Sequence, residues 1–128
     1  MELIGTVSLW LGNMDLAEDL EQLMKVSYNE DGDYIPSEFA NCFSIARYDE
    51  ATREAEFYDE PQHTLEELLE GFSYDDVIIP ELKKFQIKRN IEEYNCVVLL
   101  YDFKYEQELD IYEHENFFFE FIGSVKYE

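Results

Sequence analysis

The chain has 128 residues and a formal net charge of -22 at pH 7, from 31 acidic and 9 basic side chains. It is also 46% hydrophobic, with 10 Phe and 10 Tyr. Acidic chains stay disordered when they lack apolar surface, so this composition predicts a folded protein and excludes a disordered acidic tail. The length is typical of one domain, and we expect residues 1–128 to form a single domain.

The amino terminus predicts neither a signal peptide nor a membrane span. Met1 to Ile4 contains no basic residue, and glycine and hydroxyl residues interrupt the apolar run that ends at Leu11. We therefore expect a cytoplasmic protein, in which Cys42 and Cys96 are buried reduced thiols rather than a disulfide or a nucleophile. We expect no direct binding of nucleic acid, because phosphate binding needs clustered cations and this chain has one small basic cluster. The cluster consists of Lys83, Lys84, Lys88 and Arg89.

Alternation and capping signals predict the elements of the amino-terminal half. Val7, Leu9 and Leu11 alternate with other residues as in a strand, and Asp15 and Glu18 have the spacing of a capping box. Between these two elements we interpret Gly12 as a tight turn. The predicted elements are a strand over 6–11, a helix over 15–25, a loop over 28–36, a short helix over 37–43 capped by Ser37, and a half-exposed edge strand over 54–58.

The carboxyl-terminal half predicts two helices and three strands. Thr64 and Glu67 form a second capping box with Gly71 at the helix end, and Pro80 can open a further helix that either packs on two sides or breaks near Gln86. The predicted strands are a central one over 97–101 covered on both faces, one over 109–113, and one over 117–125. The order predicts an α+β domain, with a largely antiparallel sheet and helices packed mainly on one side, whose carboxyl-terminal half supplies the central sheet and most of the core.

The sequence predicts no catalytic, cofactor-binding or metal-binding residues. With 31 acidic residues, paired carboxylates occur at every spacing and carry no information about hydrolysis. His63 and His114 stand alone in predicted turns, so we interpret them as solvated surface groups. Ser73 follows a helix rather than a strand and does not form a nucleophile elbow. We therefore do not expect an enzyme.

One segment, Ser27 to Glu38, partly matches a calcium-binding loop. Asn29, Asp31, Gly32 and Glu38 fall on positions three, five, six and twelve of that loop. Ser27 stands where calcium loops carry a carboxylate, and Pro36 lies inside the loop. We interpret the segment as an acidic turn rather than a metal site.

Several blocks of the chain, in this order, resemble the Immunity protein 22 family. The blocks are Val7–Asn13, Glu30–Asp33 followed by Ile35–Ser37, Leu65–Tyr74, Leu99–Phe103 and Phe121–Ser124. The resemblance implies a bacterial cytosolic protein that binds and neutralises a cognate toxin domain, often a nuclease, encoded beside it in a polymorphic toxin system. It provides no catalytic residues to transfer to this chain.

Charge and resemblance together favour an acidic inhibitor that covers a basic surface of a toxin, such as the phosphate-binding cleft of a nuclease, by steric and electrostatic occlusion. The alternatives are a nucleic-acid mimic that inhibits a DNA-binding protein and, less directly supported, a small calcium-binding or enzymatic module. Acidic turns and nearby tyrosines are the candidate contacts, although any one of these carboxylates taken alone is more simply explained as solvated surface. The candidates are Tyr28, Glu30, Asp31, Asp33, Tyr34, Asp49, Glu50, Tyr58, Asp59, Glu60, Tyr74, Asp75 and Asp76.

Overall fold

A computed structural model describes residues 1–128, which form a five-stranded antiparallel sheet, a separate two-stranded sheet and four α-helices. The strands are β1 (Glu2–Asn13), β2 (Ser27–Tyr28), β3 (Tyr34–Ile35), β4 (Arg53–Phe57), β5 (Cys96–Phe103), β6 (Ile111–His114) and β7 (Phe117–Lys126). The helices are α1 (Ala17–Met24), α2 (Glu38–Cys42), α3 (Leu65–Leu69) and α4 (Asp75–Leu82). Short 3₁₀ turns lie at Glu50–Thr52 and Ile91–Glu93.

The strand order in the large sheet is β4-β5-β1-β7-β6, so β1 from the amino-terminal half is central. Leu9 is paired with Leu99 of β5 on one side and with Gly123 of β7 on the other. The predicted strand over 97–101 is confirmed within β5 and is buried on both faces, but it lies beside the centre. The expectation that the carboxyl-terminal half supplies the central sheet is therefore corrected, since the centre is shared between both halves.

Gly12 lies inside β1 and does not form the predicted turn. It is paired with Cys96 of β5 and Phe119 of β7. A Cβ atom at this position would approach the Phe118 carbonyl oxygen and the Phe119 ring to 2.5 Å. The glycine is therefore required by close packing and not by a change of chain direction.

The large sheet separates two hydrophobic cores. Trp10 and Val98 belong to the core covered by α1 and α2, whereas Leu9 and Leu99 belong to the core covered by α3 and α4. The predicted α+β class and antiparallel sheet are confirmed, with the correction that the helices are divided between both faces rather than gathered mainly on one. The reason is that β1 and β5 carry apolar side chains on both faces, and each face has to be removed from water.

The predicted capping box at the first helix is wrong. Helix α1 begins after Leu16, whose side chain provides no cap, and Asp15 lies outside the helix. The backbone of Met14 explains the late start, because its N–H donates to the Asn95 side chain and its carbonyl oxygen accepts from the same amide. These two hydrogen bonds keep the chain extended at Met14, so the helix begins later than the spacing of Asp15 and Glu18 predicts.

Pro80 lies inside α4 and does not open a helix as predicted. The helix begins at Asp75, directly after Tyr74, which has a left-handed conformation with φ of 62°. A proline at this position removes the N–H that would bond to the carbonyl four residues earlier, and α4 ends soon afterwards at Leu82. Residues 83–94 are therefore not a continuous helix.

Other predicted elements are confirmed at their capping residues and at the sheet edge. Ser37 Oγ accepts the Ala40 N–H at the start of α2, and Thr64 Oγ1 accepts the Glu67 N–H at the start of α3. Strand β4 is an edge strand, as predicted for 54–58. The predicted loop over 28–36 contains the last residue of β2 and both residues of β3, and these two strands pair as a hairpin. None of the helices has the length and apolarity needed to cross a bilayer.

Candidate functional site

The turn between β2 and β3 presents three candidate carboxylates to solvent. The Asn29 side-chain oxygen accepts the N–H groups of Asp31 and Asp33, each at 2.9 Å. Gly32 has a positive φ of 82°, a conformation that glycine adopts without strain. These local interactions fix the turn, and the side chains of Glu30, Asp31 and Asp33 lie exposed on it.

A groove of 960 Å³ lies beside this hairpin, and we call it the hairpin groove. Its walls come from the hairpin, from residues 44–52, from residues 101–108 and from the first residues of β1. Four of the predicted contact residues line it, namely Tyr28, Tyr34, Asp49 and Glu50. The fold therefore brings two predicted turns, remote from each other in sequence, to one surface.

The two tyrosines of the hairpin groove differ in how firmly they are held. Tyr34 is half-buried, its hydroxyl donates to the Tyr48 carbonyl oxygen at 3.3 Å, and the Arg47 guanidinium lies 4.4 Å from its ring centre. Tyr28 is 58% exposed, and its ring centre lies 6.1 Å from that of Tyr34. Tyr28 is thus an exposed aromatic ring supported by a fixed neighbour, which is a common arrangement of an anchor in protein recognition.

The charges around the hairpin groove are strongly unbalanced. Arg47 is the only lysine or arginine that lines it. Asp49 and Asp102 accept backbone N–H groups, from Ala51 and Gly5 respectively, and so have structural roles. The remaining acidic lining residues, which have no hydrogen-bond partner for their side chains, are Glu2, Glu50, Glu106 and Glu108. Together with the acidic turn, these groups produce a negative field that attracts a cationic partner.

Exposed apolar side chains from the amino terminus also line the hairpin groove. Met1 is 58% exposed and Ile4 is 78% exposed. Sequence reasoning missed these residues, together with Arg47 and the carboxylates of residues 106–108. The available signal was the apolar start of β1, where Met1, Leu3 and Ile4 lie ahead of the buried part of the strand.

The other predicted contact residues lie outside the hairpin groove. Tyr58 is half-buried, and its hydroxyl donates to the Leu68 carbonyl oxygen at 2.6 Å. Tyr74 packs on Tyr127 with ring centres 4.6 Å apart. The Asp75 carboxylate accepts the N–H groups of Gly71 and Asp76 at the start of α4. Asp59, Glu60 and Asp76 are exposed and do not line the hairpin groove.

The segment that partly matches a calcium loop is shaped by its own hydrogen bonds. The Asn29 oxygen already accepts backbone N–H groups, and Glu38 is the first residue of α2. His63 and His114 are both exposed, as predicted, although His114 lies in β6 rather than in a turn. Cys96 is buried, Cys42 is half-buried, and both are free thiols.

These features define the chain as an acidic α+β protein with an open groove lined by tyrosines and carboxylates. The sequence profile of one family, described as Immunity protein 22, matches residues 7–128. The chain therefore belongs to the Immunity protein 22 family. Membership implies an immunity role, in which the protein binds and neutralises a cognate toxin. No curated protein and no solved structure gave a match.

Proposed function

We propose that this protein neutralises its cognate toxin by placing the hairpin groove over a basic surface of the toxin domain, and that this domain is a nuclease. The observation that carries the proposal is the exposed ring of Tyr28 within a groove whose lining includes many carboxylates and one arginine. We infer that the protein acts in the cytoplasm of the cell that produces the toxin, as a stoichiometric inhibitor rather than as an enzyme.

A nuclease must present cationic groups to bind the phosphates of its substrate. The carboxylates of Glu30, Asp31 and Asp33 would occupy or cover such a cleft and exclude the nucleic acid. Exposed ion pairs contribute little affinity on their own, so the apolar contact made by Tyr28 is expected to supply much of the binding energy. The carboxylates then act mainly on the rate of encounter, which reaches about 10⁸–10⁹ M⁻¹s⁻¹ for electrostatically steered pairs.

Binding kinetics with the toxin domain encoded beside this protein, in a catalytically inactive form, test the proposal. Raising the salt concentration from low to molar is expected to slow association strongly and to change dissociation much less, because screening acts on exposed charges. Tyr28→Ala is expected to speed dissociation with little effect on association. Salt-insensitive association would contradict electrostatic occlusion.

Charge reversal distinguishes a contact surface from the general field of the protein. The variant Glu30→Lys, Asp31→Lys, Asp33→Lys changes the turn beside the hairpin groove. It is compared with a control that reverses three exposed acidic residues outside this turn, which line neither the hairpin groove nor the surface beside β4. The control residues are Asp15, Glu92 and Glu115. Both variants change the net charge equally, so a difference between them reports a local contact. We expect the turn variant to bind the toxin much more slowly than the control does. Equal small effects would contradict the assigned surface.

Two further measurements separate this proposal from its nearest alternatives. The active toxin domain should degrade DNA or RNA and should be inhibited at an equimolar amount of this protein. Absence of nuclease activity would contradict that part of the proposal alone. A basic protein unrelated to toxins, such as cytochrome c, should bind far more weakly than the toxin, whereas a general mimic of nucleic acid would bind both.

A further inference from the structure

A second groove, of 770 Å³, runs along the outer edge of β4, and we call it the edge groove. It shares Glu50 with the hairpin groove, so the two surfaces are continuous. Helix α1 forms one wall, through residues 20–25, and the end of α3 with the following turn forms the other wall, through residues 70–72. The exposed edge of the large sheet lies between these walls.

The backbone of β4 offers unpaired hydrogen-bonding groups to the edge groove. The Tyr58 N–H donates to the Asn95 carbonyl oxygen at 2.8 Å, and hydrogen-bonded pairs alternate along an antiparallel ladder. Glu54 and Glu56 are therefore bonded to β5, whereas Ala55 and Phe57 direct their N–H and C=O groups away from it. No hydrogen bond from turns or loops reaches the backbone of Ala55 or Phe57.

The two walls of the edge groove differ in chemical character. On the side of α1, Leu20 and Met24 are almost fully buried, so the accessible lining consists of the partly buried Ala55 and of the charged residues Glu21, Lys25 and Arg53. On the opposite side, the carboxylates of Glu56 and Glu70 are exposed and have no hydrogen-bond partner, whereas Glu54 accepts from Ser73. A strand placed between the walls would therefore direct alternate side chains to two different surroundings. On the α1 side, Ala55 and Phe57 pack against the core and the cations Lys25 and Arg53 disfavour a basic residue, whereas the opposite side is acidic.

We propose that the edge groove receives an extended segment of the toxin domain, in which basic residues alternate with apolar residues, as an added strand beside β4. The proposal rests on the toxin-binding function proposed above and assigns it a second contact. Apolar side chains of the added strand face α1, and its lysines or arginines face Glu56 and Glu70. Backbone hydrogen bonds to Ala55 and Phe57 fix the register. Pairing with a second copy of this chain is disfavoured, because it would bring the glutamates of two β4 strands together.

A synthetic peptide tests the chemistry of the edge groove without the toxin. The probe is acetyl-Lys-Val-Lys-Val-Lys-Val-Lys-amide, added to the full chain during hydrogen exchange measured by NMR. We expect the exchange of the Ala55 and Phe57 amides to slow at least about tenfold, because both become hydrogen-bonded, while the amides of Glu54 and Glu56 are already protected by β5. Protection confined to other residues would overturn the proposal.

A control peptide separates backbone pairing from charge attraction. Residues directly opposite in a ladder direct their side chains to the same face, so the valines of the probe lie opposite Ala55 and Phe57. N-methylation of the valines removes the donors that β4 needs and leaves every charge in place. We expect this peptide to bind at least about tenfold more weakly. Equal binding of the two peptides would overturn strand addition, and this comparison requires no change to the protein.

Variants of the protein test the acidic wall. Glu56→Lys, Glu70→Lys is expected to weaken peptide binding by about tenfold or more, whereas the charge-matched control Glu92→Lys, Glu115→Lys is expected to retain most of it. Equal losses would overturn the assigned wall. In the complex with the inactive toxin domain, the Ala55 and Phe57 amides should be protected in the same way, and their free exchange there would overturn the proposal. Loss of toxin binding with peptide binding intact would instead contradict the proposed function alone.

Discussion

The hydroxyl of Tyr94 donates a hydrogen bond of 2.5 Å to the carboxylate of Glu120, and both side chains are buried. Tyr94 lies two residues before β5 and Glu120 lies in β7, so the bond connects β7 to the segment that leads into β5, and these two strands flank β1. Burial, with a further contribution from Glu120, holds the pKa of Tyr94 above its usual range. The phenol therefore keeps its proton at neutral pH and remains a donor.

Tyr94→Phe is expected to lower the free energy of unfolding by about 1–3 kcal/mol, because it leaves a buried carboxylate without its donor. Urea denaturation measures the change, and Tyr28→Phe, at an exposed ring, is the matched control. The double variant Tyr94→Phe, Glu120→Leu is expected to recover part of the loss, since both polar groups are then removed. The effect of Glu120→Leu alone completes the comparison. If the double variant lost as much stability as the two single variants together, the two residues would act independently, which would contradict a coupled pair.

Stability is expected to fall at alkaline pH through Cys96. Burial raises the pKa of this thiol from 9.0 to about 12. The pKa of the thiol is therefore higher in the folded state than in the unfolded state. The contribution of the neutral thiol to the free energy of unfolding is fully present below pH 9.0 and is lost as the pH rises through about 12. Urea denaturation across this range should show a shallower fall in the free energy of unfolding for Cys96→Val than for the wild-type chain. Identical slopes would assign the alkaline loss to other groups, such as Tyr101, whose pKa is also raised by burial.

Calcium is not expected to bind tightly to the turn between β2 and β3. Calcium takes about six to eight oxygen ligands, whereas the Asn29 oxygen already accepts the N–H groups of Asp31 and Asp33. Titration calorimetry of the full chain should show no stoichiometric site at micromolar calcium, with magnesium as the comparison ion. If a site were found, Asp31→Asn should weaken it, because the loop pattern assigns a ligand to that position.

A fragment of residues 1–94 is expected not to fold. It lacks β5 and β7, the two neighbours of β1, and it removes Tyr105 and Phe121 from the surroundings of Trp10. Each buried aromatic or aliphatic side chain lost from the core costs about 1.5–3 kcal/mol. The fluorescence of Trp10, the one tryptophan, should resemble that of a solvated indole. A cooperative thermal transition in the fragment would contradict this prediction.

The strands were readable from the sequence where local signals and packing agree. The run Val97 to Tyr101 is β-rich and apolar, and β5 is buried on both faces. The alternation of acidic and apolar residues over 54–58 correctly indicated an edge strand. The Asp15 and Glu18 spacing failed because Asn95, distant in sequence, holds Met14 in an extended conformation. Tertiary contacts of this kind are invisible to a local pattern.

The candidate site was only partly readable from the sequence for a related reason. Acidic turns and tyrosines are visible in the sequence, but their grouping is not. The hairpin groove collects residues from the amino terminus, the hairpin, the 44–52 segment and the 101–108 segment. Only the fold shows that Tyr28 and Asp49 share one surface, whereas Tyr74 does not line it. The role of Gly12 is likewise hidden from the sequence, because it depends on how closely Phe119 approaches.

Because β1 is the central strand, the large sheet can be completed only late in the synthesis of this domain. Strand β1 is translated before the other six strands and pairs only with β5 and β7, the latter ending at Lys126. Pairing across such a sequence separation is slow, and both partners of β1 are present only after β7 has been translated. A nascent chain therefore has no completed sheet on which to present its grooves. A cell that makes the toxin and this protein together is therefore protected only by molecules in which β7 has already been translated.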